Sequence, residues 1–331
     1  MARMKIEFTA GYKRRHGFTR RDKLVAHLPR YSRFMAPLQP LLSLAQKLPG
    51  AGALLESLTG FDRRRPLPKW QRSWSSSRGS PSPLGEGRGE GRDVVLFADT
   101  FNNWFEPGNL DAALRVLEAT GHRVLSPKGD DGRPLCCGRT YLTAGMMGEA
   151  RAEARRTLAA LKPHIEAGTP IVGLEPSCLF TFRDEYLAMF PGDALAAKLA
   201  GSQLIDQYLE AGICSGAFAA PWRTPPSAPL RVHGHCHQKA FGAFDATLAL
   251  LRTLPQAKVE AIESSCCGMA GSFGHEHYDV SMKMGEAALL PAVRAAPDAT
   301  ITAAGTSCRQ QIGHGAGREA RHPIVILAES L

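Results

Sequence analysis

From residue 93 onward the chain alternates two hydrophobic patterns. Short apolar runs ending in polar residues, DVVLFADT (93–100), HRVLSP (122–127) and PIVGLEP (170–176), carry the signature of buried strands. Between them, NLDAALRVLEATG (109–121) and GEARAEARRTLAALKPHIEAG (148–168) space their apolar residues at helical intervals and stop at glycine. The alternation then returns. LRVHGHCH (230–237), AKVEAIES (257–264) and ATITAAG (299–305) read as strands, and FDATLALLRTL (244–254) and YDVSMKMGEAALLPAVRAA (278–296) as helices. Strands joined through helices run parallel, with right-handed crossovers. The N-terminal third has another texture. Residues 20–60 predict short amphipathic helices broken at Pro29, Pro37, Pro40 and Pro49. FDRRRPLPKW (61–70) predicts an extended run, because each proline disfavours a helical residue before it. Residues 73–92, SWSSSRGSPSPLGEGRGEGR, hold almost nothing apolar and predict a disordered linker.

The cysteines follow the repeat. Cys-Cys-Gly occurs at 136–138 and again at 266–268, and single cysteines stand at 178 and 308, so both spacings are 130 residues. Equal offsets over one order of strand, cysteine and helix argue for duplication of a single unit. The expected fold class is therefore α/β, with two duplicated Rossmann-like Cys-Cys-Gly units on mainly parallel sheets, preceded by a basic helical segment. The boundaries read 1–72 for that segment, 73–92 for the linker, 93–215 for the first unit and 216–331 for the second. In parallel sheets ligands gather at the carboxyl ends of strands, and the repeated cysteines all fall there.

Composition narrows the function. The 331 residues are 44% hydrophobic and 21% charged, a globular balance with room for two domains. No apolar run approaches the roughly 20 residues of a membrane helix, and the N-terminus lacks the apolar stretch of a secretory leader. A cytoplasmic protein is expected, with peripheral contact at the inner membrane face as the other option. Eight cysteines are too few for a disulfide scaffold, and in a reducing compartment clustered cysteines point to metal or redox chemistry. Charge is uneven: residues 1–92 hold 19 Lys and Arg against 6 Asp and Glu, while the rest hold 21 against 25. No base-reading motif accompanies the basic third. It is read as a solvated face or a dock for an acidic partner, not a nucleic-acid surface.

The second unit offers four thiols, Cys236, Cys266, Cys267 and Cys308, from three strand ends. Four thiolates suit an iron–sulfur cluster or structural zinc, and soft sulfur excludes magnesium and calcium. Zinc sites usually draw on tight C-x₂₋₄-C knuckles, and adjacent cysteines reach different irons of a cluster more easily than one ion. A 4Fe-4S type is the expectation, with zinc and a plain redox dithiol as alternatives. Gly138 and Gly268 would let the backbone turn sharply and approach the cofactor. The first unit offers only Cys136, Cys137 and Cys178, with Asp99–Thr100 where the second has Cys236. It either holds a cluster through an oxygen ligand or survives as scaffold. Period 2 in an extended HGHCH would put His233, His235 and His237 on one face, where they could tune a cluster or remain plain polar residues. Lys239 and Arg309 could offset its negative charge. Cys214 has no counterpart and is expected to be buried in the connecting segment.

On these residues the sequence resembles the cysteine-rich (CCG) domain. That domain occurs in heterodisulfide reductase, in the glycolate oxidase iron–sulfur subunit, and in FAD-linked dehydrogenases of the D-lactate and D-2-hydroxyglutarate type. VVLFADTFNNWFEP, CCGRTYLTAG and GTSCRQQI carry the likeness to the last group. MARMKIEFTAGYKRRHG and GFDRRRPLPKW are similar to the segment that there follows a ferredoxin-like iron–sulfur module. The resemblance implies an electron-transfer component, encoded separately or truncated from a larger enzyme. Its FAD would sit on a partner dehydrogenase subunit or domain, and its acceptor would be a quinone or cytochrome. The family pattern ends in C-x-x-C, whose first position here is Glu175 in one half and Gly305 in the other. That departure weighs against the rival reading, a heterodisulfide-type thiol–disulfide reductase. A zinc-stabilised scaffold is the third reading.

Overall fold

The computed structural model describes residues 2–77 and 91–331. It holds two four-stranded, all-parallel sheets. The first contains β1 (Arg92–Phe97), β2 (His122–Leu125), β3 (Ile171–Gly173) and β4 (Gln203–Leu204), in the order β2-β1-β3-β4. The second contains β5 (Leu230–His233), β6 (Val259–Ala261), β7 (Thr300–Ala303) and β8 (Ala320–Arg321), in the order β6-β5-β7-β8. The two orders are identical, so the duplication read from the cysteine offsets is a duplication of fold. In each sheet the chain leaves the first strand to one side and crosses to the other, which opens a crevice at the carboxyl ends of the two central strands.

The units share one core. Helix Pro323–Glu329, the last of the second unit, packs on helix Pro107–Ala119, which follows β1 of the first. Reciprocally, helix Ile205–Cys214, the last of the first unit, packs on helix Phe244–Arg252 of the second. Such mutual exchange is what a twofold relation between like units produces. Leu110, Leu117, Leu250, Leu251, Ile324 and Leu327 are fully buried in this shared layer, each contributing roughly 1.5–3 kcal/mol of hydrophobic stabilisation.

Several local expectations change. Helix Leu28–Ala45 runs through Pro37 and Pro40 instead of breaking there. Both prolines occupy exposed positions, so the carbonyls they cannot serve face water. The helix expected over 278–296 is two, Tyr278–Glu286 and Leu289–Arg294, because Pro291 has no N–H to return to the preceding turn. Cys214 is exposed, not buried, since it ends helix Ile205–Cys214 on its outer side. At the start of the stretch read as linker, Trp74 is buried and donates to Asp111 Oδ1 at 2.9 Å, and the Ser75 amide donates to Asn103 Oδ1 at 3.0 Å. Packing therefore extends to residue 75. The heart of that linker, 78–90, lies outside the described residues.

The N-terminal helices dock on both units. Helix Ala2–His16 lies against Gly145, where an added Cβ would meet the backbone of Ala10 at 3.0 Å. Arg65 is buried in the second unit, 2% exposed. It donates to Gln311 Oε1 at 2.8 Å, Ser281 Oγ at 3.0 Å and the Gly274 carbonyl at 3.2 Å. Five donors in a fixed fork let one arginine satisfy this many buried acceptors.

Candidate metal centre

Each repeated cysteine is set by the helix or turn that follows a strand. After β5, His235 caps helix Cys236–Ala240, its Nδ1 accepting the His237 amide at 3.1 Å, so Cys236 is the first residue of that helix. After β6 comes the turn with Cys266 and Cys267. After β7, Gly305 caps helix Thr306–Ala316 and Cys308 lies in its first turn. In the first unit Asp99 caps helix Thr100–Trp104 and Glu175 caps helix Pro176–Arg183. Position for position, Thr100 stands where Cys236 stands, and Asp99 where His235 does.

The Cys-Cys-Gly turns share one geometry. Gly138 has φ +83° and Gly268 φ +92°, a region that only glycine enters cheaply. In both turns the glycine amide donates to the sulfur of the first cysteine, Cys136 or Cys266, at 3.4 Å. An added Cβ on Gly268 would meet the Ser281 carbonyl at 2.4 Å, and on Gly138 the Ala150 carbonyl at 3.3 Å. The close approach that requires glycine is thus to the helix behind the turn.

The four thiols of the second unit form a string, with side-chain hydrogen bonds joining Cys236 to Cys266, Cys266 to Cys267 and Cys267 to Cys308. Their ionisation alternates. Cys236 and Cys267 are pushed up by their bonds to Cys266, while Cys266 is pulled down by Cys236 and Cys308 by Cys267. The fields of His233 and His235 add to the pull on Cys308. The four sulfurs titrate as one coupled set. The first unit differs. Cys136 is pushed up by its bond to Cys137, and Cys137 by burial. Cys178 gains from its contact with Cys137, but burial and the carboxylates of Asp99 and Glu175 push it up to about 12. Asp99 itself is pushed up to about 7 by burial and by the Glu175 charge. The first unit thus sets three buried thiols beside two carboxyls.

The donor chemistry of the second unit fits an iron–sulfur cluster. Its sulfurs are strung across three loops. Among the described residues no group of three or more His, Cys, Asp or Glu converges as a single ion requires. The histidines do not share one face, because the strand ends at His233 and the chain turns helical at Cys236. His233 Nδ1 shares a 2.8 Å hydrogen bond with Ser264, and His235 and His237 meet edge to face at 5.2 Å. His233 Nε2 and His237 Nδ1 are buried without a partner. Lys239 donates to the Ser264 carbonyl, and Arg309 pairs with Glu106 across the units and donates to the Ala303 carbonyl at 2.7 Å. Both cations thus brace the loops around the thiols.

Glu175 joins the halves in a way the cysteine pattern did not reveal. Glu175 Oε1 accepts from the Ser177 amide in its own helix, while Oε2 accepts from the Thr306 amide of the second unit at 2.8 Å. One carboxylate thereby caps two helices whose positive ends face each other. Opposite it, an added Cβ on Gly305 would meet His235 Cδ2 at 2.4 Å, so the missing cysteine makes room for an imidazole. Arg65 was hidden for another reason: RRR at 63–65 does not show which arginine turns inward.

A cavity of about 740 Å³ opens beside the thiols. Its floor includes Cys236, Cys266, Cys267, His237 and His275, and its walls come from the N-terminal helices.

Residues 100–183 and again 231–313 match the cysteine-rich domain, CCG. One component of the anaerobic glycerol-3-phosphate dehydrogenase of Escherichia coli is 26% identical over 321 residues, covering 94% of this chain and 77% of that protein. D-2-hydroxyglutarate dehydrogenase of Pseudomonas putida is 29% identical over 246 residues, 72% of this chain but 22% of that one. The glycolate oxidase iron-sulfur subunit of Escherichia coli is 26% identical over 255 residues, 72% of this chain and 58% of that protein.

Proposed function

This chain belongs to the cysteine-rich (CCG) domain family, and from that premise we propose that it is an iron–sulfur electron-transfer component of a flavin-dependent dehydrogenase. The observation that carries the proposal is the string Cys236–Cys266–Cys267–Cys308, four thiols from three loops brought side by side at the crevice of one parallel sheet. The named relatives act on glycerol 3-phosphate, D-2-hydroxyglutarate and glycolate, yet all share the cysteine-bearing part. Substrate choice and FAD therefore belong to a partner subunit or domain, and this chain supplies the relay toward a quinone or cytochrome.

Cys236, Cys266, Cys267 and Cys308 would hold the cluster, of 4Fe-4S type, which supplies single-electron transfer when bound. The chain's own residues hold the thiolates, burying Cys267 and Cys308 and leaving Cys236 exposed. Gly268 fixes the turn, its amide donates to Cys266, and the His233 and His235 rings lower the proton affinity of Cys308. The first unit, with Thr100 in place of a thiol, serves as scaffold.

The N-terminal segment would bring the relay to a membrane surface. Among the described residues no helix is long and apolar enough to cross one. Yet Met4, Phe8 and Tyr12 form an exposed stripe along one helix, and Phe34, Leu38 and Leu41 along another, in the strongly basic third of the chain. Apolar faces among lysines and arginines suit an anionic lipid interface.

The test is iron and acid-labile sulfide per chain, after anaerobic purification of wild type, Cys267→Ala and Cys137→Ala. Loss of most iron with Cys267→Ala alone is expected. About one zinc per chain and no iron in wild type would refute the relay; equal losses in both variants would refute the scaffold role of the first unit.

A further inference from the structure

Duplication makes the two halves comparable residue by residue, and at one contact between them they differ in charge. Arg309 follows Cys308 in its helix and is 6% exposed. Its Nη1 donates to the carbonyls of Ala303 at 2.7 Å and Ala304 at 2.8 Å. Its Nε donates to Oε1 of Glu106, in the first unit, at 3.0 Å. Glu106 Oε2 also accepts from the Thr306 hydroxyl at 2.8 Å. Thr306 and Arg309 flank Cys308 in one turn of helix, so the Glu106 carboxylate grips the turn that carries that sulfur. Burial pushes Glu106 up, but the Arg309 charge and the bonds from Arg309 and Thr306 outweigh it and hold the carboxyl below its ordinary value. The charges of Glu106, Glu175 and Cys308 all act on Arg309.

The matching contact carries no ion pair. Counted from Cys178 and Cys308, Leu179 is the counterpart of Arg309. Counted from the helix starts at Thr100 and Cys236, Gly242 is the counterpart of Glu106. On that side the units meet through Phe180 and Phe241, stacked with ring centroids 4.6 Å apart. An apolar contact is thus enough to join two such units. A buried ion pair is a weak source of stability, because desolvation takes back much of the Coulomb gain. The charged version stands beside Cys308, in the unit with the complete thiol set, and what it adds there is charge.

We propose that the first unit sets the reduction potential of the second unit's cluster through the pair Glu106–Arg309. The inference rests on the relay reading, since it needs a cluster at these thiols, and it gives the first unit a part beyond scaffold. A fixed cation beside Cys308 favours the more negative, reduced form and raises the potential, while a carboxylate does the reverse. Arg309 supplies the first effect and Glu106 moderates it. Because the guanidinium is buried, salt screens it little.

The test is an anaerobic redox titration of iron-loaded wild type and variants, followed by visible absorbance at low and high salt, with thermal melts of the same samples. Glu106→Gln keeps an acceptor for Thr306 and should raise the potential. Arg309→Gln should lower it by on the order of tenfold in the one-electron reduction equilibrium, which is about 59 mV. Arg309→Lys loses the fork but keeps the charge. It should melt as low as Arg309→Gln, with a potential near that of wild type. An unpaired buried charge can unfold a single variant, so the double Glu106→Gln/Arg309→Gln, which leaves none, is measured beside them. Its potential should lie below that of wild type, because Arg309 adjoins Cys308 whereas Glu106 belongs to the other unit. Glu106→Gln and Arg309→Gln shifting in one direction, Arg309→Lys moving as far as Arg309→Gln, or a double variant at or above the wild-type potential would each overturn the inference and leave the relay standing. Wild type that holds no iron removes the relay and this inference with it.

Discussion

At the scale of single residues, one contact decides how many thiols the second unit can hold. Gly305 occupies a position where any side chain runs into His235, whose Cδ2 would lie 2.4 Å from the new Cβ. Its φ of −84° suits any residue, so the obstacle is the ring and not the backbone. Gly305→Cys should therefore destabilise the fold by about 1–3 kcal/mol, the usual cost of overpacking. Paired with His235→Ala it should cost less than the two changes added together. Urea unfolding of the single and double variants measures the coupling, and strict additivity would show that the ring moves aside freely. Glu175, at the matching position of the first unit, is committed elsewhere, because each of its oxygens caps a helix.

Elements are joined by polar links as well as apolar ones. Asp206, in the first turn of helix Ile205–Cys214, accepts from Thr247 of helix Phe244–Arg252 at 2.7 Å, and its other oxygen has no partner. Burial raises this carboxyl to about 6, although the Thr247 bond opposes the shift. A folded-state value above the unfolded one means that the stabilising proton is present at low pH and lost as pH rises through about 6. Asp206→Asn should thus stabilise the protein above pH 7, on the order of 2–3 kcal/mol, and change little at pH 4. Denaturation at both pH values checks the sign. Long periodic elements were legible in the sequence: six of the strands and the helices between them follow the hydrophobic pattern, and constant cysteine offsets disclosed the duplication. The short ones were not. β4 and β8 are two residues each, too brief for any period, and they exist because a neighbouring strand offers its edge. The cysteines were legible because their type is rare. Arg65 and Glu175 were not, because a common charged residue shows its importance only through distant partners.

On the scale of the whole molecule, the basic third is a lid laid over the cysteine-bearing units, with apolar stripes facing outward. Vesicles containing anionic lipid should sediment with the protein, and neutral vesicles far less. Salt should weaken the association, because Debye screening at 1 M falls to about 3 Å. Phe8→Glu combined with Leu41→Glu should abolish it without altering iron content. Undiminished binding of that variant would locate the lipid contact elsewhere. The lid is pinned by Arg65, whose acceptors lie 209 to 246 residues further along the chain. A ribosome delivers those acceptors long after the arginine. The helices of the lid are consequently made early and secured late, and until then their leucines and phenylalanines have no surface to settle on. Contacts this distant in sequence form slowly and leave apolar surface uncovered meanwhile. During synthesis the nascent lid should therefore stay open to chaperones until the helices of the second unit close the fold.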